Sequence, residues 1–150
     1  MLKELYKVIS GCTKTRVTYD EMPGTNYVGY CINPCYCYYI LRGYNGLDPS
    51  KFEKSSVLCK MYNDNNPEYM DNTVFSGEIV YENSEPLVKL ITPNKEPVYI
   101  REKYLKKFGK ISDLAFKCKS PKSAVFVVLA TGTLIGAIMP VIPKKITTNN

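Results

Sequence analysis

Apolar positions fall into two regimes along the chain. In the first 100 residues they come in short runs rich in Tyr, Val, Ile and Cys, which suit a pleated surface. These runs cover residues 15–19, 27–32, 35–42, 54–62, 74–81, 87–92 and 97–100. Turn chemistry separates them: Met22-Pro23-Gly24-Thr25, Pro34, the stretch 43–49, Asn83-Ser84-Glu85-Pro86 and Pro93-Asn94-Lys95-Glu96. Short strands recurring about every 8 to 12 residues predict a small antiparallel barrel or sandwich. Ahead of them, Leu2, Leu5, Tyr6 and Ile9 recur at helical spacing and Gly11 follows, so residues 2–10 read as a short amphipathic helix.

The second regime is residues 124–142, AVFVVLATGTLIGAIMPVI. It holds no charge, and ten of its nineteen residues are Val, Ile, Leu or Phe. At ~1.5 Å per residue a helix of this length reaches ~28 Å, close to the hydrocarbon thickness of a bilayer. A helix of this length in a water-soluble domain would normally show one polar face. A β-branched core strand would be shorter. The stretch is therefore expected to form a C-terminal transmembrane helix over 123–143. Gly132 and Gly136, a G-x-x-x-G pair, would let a second helix pack closely against it.

Charge sharpens this picture. Residues 101–122 carry eight basic and two acidic side chains, a net of +6, whereas residues 1–100 carry a net of −2. The chain's basicity is thus concentrated beside the expected span, and the positive-inside rule puts the N-terminal part in the cytoplasm or an equivalent compartment. Lys106, Lys107, Lys110, Lys117, Lys119 and Lys122 become candidates for anionic-lipid contact, or for a solvated flank that binds nothing. The expected organisation is a β-rich domain over 1–100, a basic juxtamembrane helix or linker over 101–122, the span, and a polar tail over 144–150.

Candidate chemistry is sparse. The chain has no histidine, so no Ser–His or Cys–His pair exists. There is no glycine-rich phosphate loop. Cys31, Cys35 and Cys37, with Cys12 and Cys59 as further partners, are weak metal candidates, because zinc sites use close pairs such as C-x2-C and none is present. A disulfide framework is the second reading; buried, reduced cysteines are the third and preferred one. Cys118, near the expected bilayer surface, is a candidate for palmitoylation. Tyr36, Tyr38 and Tyr39 belong to a tyrosine-dense stretch. Alternation puts Tyr36 and Tyr38 on one strand face and Tyr39 on the other, as a protein interface or as core. Only Arg42 is basic between Tyr27 and Tyr44, which argues against base stacking on nucleic acid.

The segment VYIREKYLKKF, residues 98–108, resembles the closing segment of SH3-type barrels, where a strand meets a short helical turn carrying a tyrosine, here Tyr104. The resemblance implies a small barrel. The expectation drawn from all this is a mainly β domain with short helices and one transmembrane helix. It is read as a non-enzymatic, single-pass structural or assembly protein without a cofactor, tying a larger complex to a bilayer, for example as a minor capsid or virion membrane protein. The alternatives are an accessory subunit of an organellar membrane complex and a tail-anchored adaptor whose barrel binds a protein partner. The expected partners are the bilayer and other subunits, not nucleic acid.

Overall fold

The computed structural model describes residues 17–22, 24–43, 48–55, 67 and 70–144. In chain order these form β1 (Thr18–Glu21), β2 (Tyr27–Asn33), β3 (Tyr36–Leu41), β4 (Glu53–Lys54), β5 (Val74–Glu82), β6 (Glu85–Ile91), β7 (Pro97–Arg101), α1 (Glu102–Leu105), β8 (Leu114–Lys117), β9 (Val125–Leu129) and β10 (Leu134–Ile138). The protein is mainly β, with two sheets and few helices. The expected helix over 2–10, Cys12, Cys59 and most of the strand expected over 54–62 lie outside the described residues.

The larger sheet has seven strands in the order β4-β1-β2-β3-β10-β9-β8, and the smaller has three in the order β5-β6-β7. The strand pairs are antiparallel except β1 with β4. Two isolated bridges, Thr73 to Phe116 and Tyr99 to Val141, connect the sheets. Tight turns set the register where the sequence marks them. Asn83 and Ser84 take positive φ between β5 and β6, and Pro34 sits in the turn between β2 and β3.

The smaller sheet packs on one face of the larger. Val88, Leu90, Val98 and Ile100 from the small sheet share one core cluster with Val28, Tyr30, Tyr38, Val125, Val127 and Ile138 from the large one. The opposite face carries a second cluster of Met22, Cys37, Tyr39, Phe126, Val128, Leu134 and Ala137. Alternation assigns the two sets. In β9, Val125 and Val127 face the first cluster while Phe126 and Val128 face the second.

That alternation corrects the expected transmembrane helix. Residues 124–142 contain β9, a turn and β10, and no helix among the described residues is long and apolar enough to cross a membrane. The run is uniformly apolar because both strands lie inside the sheet and are buried on both faces, which erases the usual polar alternation. Thr131, Gly132 and Thr133 interrupt it. Gly132 has φ 92°, which a glycine adopts without strain, and its N–H donates to the Leu129 carbonyl at 2.8 Å to close the hairpin. Each half is then an ordinary five-residue strand.

The boundary expected at residue 100 goes with the helix. β10 pairs with β3 and β9 with β8, so residues after 100 complete the sheet begun by β1 to β3. The expected juxtamembrane helix over 101–122 is instead α1, a 3-10 turn over Ile111–Asp113, and β8. The strand-to-helix join anticipated at 98–108 is present: β7 runs directly into α1, which carries Tyr104.

A candidate docking groove beside the edge strand

β5 is an edge strand of the smaller sheet. Its first half is unusually apolar on the outside: Val74 is 56% and Phe75 37% exposed. The register with β6 shifts between Phe75 and Ile79, around Gly77. Such a bulge bends an edge strand and re-aims its side chains. Across from this bend runs the chain leaving α1. Lys106 donates its N–H to the Glu102 carbonyl and Phe108 to that of Leu105, a tightened helical end, and Gly109 to Ile111 then pass over the sheet.

Between these two elements lies an open groove of about 350 Å³. Its floor is Phe75, Ile79, Val88, Leu105 and Ile111. Val88 and Leu105 belong to the main core, and Ile79 and Ile111 pack against it, so the floor is the rim of the core left open to the surface. The upper wall carries Glu102, Lys106 and Lys110. Lys106 pairs with Glu102 at 3.0 Å, one helical turn apart. Among the described residues, Lys110 has no ion pair. On the far side of α1, Arg101 and Lys103 both reach Glu85, at 2.6 and 3.7 Å, and both cations lie over the Tyr104 ring.

The residues singled out from the sequence lie elsewhere. Tyr36, Tyr38 and Tyr39 do sit on alternating faces as expected, but all three are buried within the chain. Tyr36 and Tyr38 pack edge-on to each other and to Phe108, and Tyr39 stacks on Phe126. Their rings are core rather than a surface for another protein, because β3 is an inner strand of the seven. Cys31 and Cys37 stand directly opposite each other across β2 and β3. Burial pushes the Cys37 thiol up to about 12 and raises that of Cys31 as well. Cys35 hydrogen-bonds with the Tyr104 hydroxyl, and that bond is the main reason the hydroxyl's pKa is raised. Among the described residues, no three of His, Cys, Asp or Glu gather to hold a metal ion.

Cys118 is buried, donates to the Ser120 carbonyl at 2.9 Å, and burial pushes its thiol up to about 11. That environment disfavours the exposed thiolate that acylation would use. Gly132 and Gly136 do not form a helix face: one shapes a hairpin turn and the other lies in β10 under the Phe108 ring. Of the six lysines, Lys106 and Lys110 line the groove, and Lys107 is exposed just beyond it. Lys117 lies in β8 and Lys119 and Lys122 in the exposed turn after it, with no span beside them.

Comparison with protein-family models, curated proteins and solved structures finds no match. The groove therefore stands on its own geometry. Sequence reading found β5, α1 and the lysines but not their convergence. The available signal was Val74-Phe75, two adjacent apolar residues that must point to opposite faces of a strand, so that one of them faces outward unless both sides are covered.

Proposed function

We propose that this chain is a non-enzymatic structural or assembly protein that holds another protein subunit through the groove between β5 and α1. One observation carries the reading: a part-exposed phenyl ring, Phe75, lines an apolar groove on an edge strand. Large aromatic residues beside an open apolar pocket are the usual anchors of protein recognition. Absence of histidine from the whole sequence supports the non-enzymatic part. So do the raised thiol pKa values of Cys31, Cys37 and Cys118, which disfavour the reactive thiolate.

The likeness of residues 98–108 to the end of SH3-type barrels adds a finer reading. The helical turn that closes such a barrel here forms a wall of the groove, which suits an adaptor recruiting a partner segment. The setting we favour is a larger assembly such as a virion shell or an organellar complex. Attachment to a bilayer by residues 124–142 is not part of the proposal, since those residues are inside the sheet. The test is co-purification from the native source with wild type and Phe75→Ser. A subunit that co-elutes at fixed stoichiometry with wild type and is lost from Phe75→Ser, with thermal midpoints matched, is the expected result. An identical set of partners for both proteins refutes the groove as the docking surface.

A further inference from the structure

We infer that the groove takes an acidic amphipathic segment of a partner protein, one large apolar side chain on its floor and carboxylates against the lysines of its wall. The inference rests on the groove being a docking surface and adds the chemistry of what docks there. Shape gives the first half. The floor of Phe75, Ile79, Val88, Leu105 and Ile111 is apolar throughout, and about 350 Å³ accommodates a Leu or Phe side chain with part of its backbone.

Charge gives the second half. Among the described residues, Glu102 is the only carboxylate lining the groove, and it is already paired with Lys106. Lys110 has no acidic partner among the described residues. The charged side chains lining the groove therefore sum to +1, with Lys110 as the cation left over. Fields from exposed charges reach about 8 Å in physiological salt, which covers a peptide lying along the wall. Such complementarity selects an acidic partner and repels a basic one. A nucleic acid would supply anions too, but among the described residues Phe75 is the only ring in the lining, and strand binding uses a series of stacking rings.

The test is a selection that assumes no partner sequence. A displayed library of random 12-residue peptides is panned on the full chain, with counter-selection on Phe75→Ser, and the top peptide is then titrated by fluorescence anisotropy. Expected are peptides enriched in Asp and Glu around a Leu or Phe. Binding should weaken on the order of tenfold or more with Lys110→Glu, and with the peptide's apolar anchor changed to Ala. It should also weaken as salt rises. Enrichment of neutral or basic peptides that still need Phe75 overturns the acidic partner while leaving the groove as a docking surface. No enrichment over the Phe75→Ser control overturns the inference, as does Phe75-dependent sedimentation with phosphatidylserine vesicles, which would assign the groove to a membrane. The co-purification result then judges the docking reading separately.

Discussion

Replacing Gly136 by alanine adds one methyl group, and the structure leaves no room for it. Gly136 lies in β10, paired across the sheet with Tyr38 and Val127. A Cβ there would sit 2.5 Å from the Cys37 carbonyl oxygen, 2.6 Å from Cζ of Phe108 and closer still to its Cε1. Neither neighbour yields cheaply. The carbonyl belongs to the backbone of β3, and the Phe108 ring is held against Tyr38 at 5.2 Å and Tyr36 at 6.4 Å between centroids. Overpacking of a tight core typically costs about 1 to 3 kcal/mol, and a backbone obstacle places this site at the upper end or beyond. Loss of unfolded-chain entropy returns roughly 0.4 to 1 kcal/mol. The net is a destabilisation of about 2 to 4 kcal/mol, which lowers the thermal midpoint of a chain this size by roughly 6 to 12 °C. Calorimetry or a melt followed by circular dichroism reads this directly. Phe108→Ala should cost about 3 to 5 kcal/mol alone. The double variant should cost less than the two added together, because the new methyl group occupies space the ring has left. A midpoint unchanged or raised by Gly136→Ala would refute the packing described. Gly136→Ile separates the two readings of this segment: a lipid-facing helix accepts it, whereas this strand should not fold with it.

Thr73 offers a gain. Its hydroxyl is buried without a hydrogen-bond partner among the described residues, while its N–H donates to the Phe116 carbonyl at 2.8 Å. Thr73→Val keeps the shape and removes the unsatisfied oxygen, so it should stabilise by about 1 kcal/mol in urea denaturation; a loss of stability would mean the hydroxyl has a partner. Cys37 governs alkaline stability. Its folded pKa, about 12, lies above the ordinary value of 9.0, so the unfolded chain ionises first and binds fewer protons. The contribution is full below pH 9 and is lost as pH rises towards 12, at up to about 1.4 kcal/mol per pH unit. Cys37→Ala should flatten that decline between pH 9 and 11, and an unchanged slope would place the loss elsewhere.

Much of the fold could be read from local patterns. Pro34 marks the turn between β2 and β3, and Asn83-Ser84 the turn between β5 and β6, because their backbone demands are local. Tyr36, Tyr38 and Tyr39 alternated as their spacing required. What the sequence hid was context. Val125 to Val128 are apolar on both faces because a sheet of seven strands buries β9 on both, and nothing local distinguishes that from lipid. Thr131-Gly132-Thr133 was the available cue that the run breaks in two. The groove was hidden for a related reason. Phe75 and Ile111 are far apart in the chain and line one groove because β6 and β7 pair back along β5 and lead directly into α1.

The position of β10 also sets the order in which the protein can assemble on the ribosome. β3 finds its outer neighbour in β10, about 100 residues later, so β1 to β3 emerge first and wait with one side of β3 unpaired. During that wait β6 and β7 can join β5 through adjacent hairpins, but the face they cover is incomplete without Val125, Val127 and Ile138. When residues 124–142 arrive they are nineteen uncharged residues in a row, the same signal that membrane-insertion machinery and chaperones read. Docking of this hairpin between β3 and β8 is therefore the event that withdraws the signal. A variant that slows it, by weakening the turn at Gly132 or the seat of Gly136 under Phe108, lengthens the interval in which the chain can be mistaken for a membrane protein.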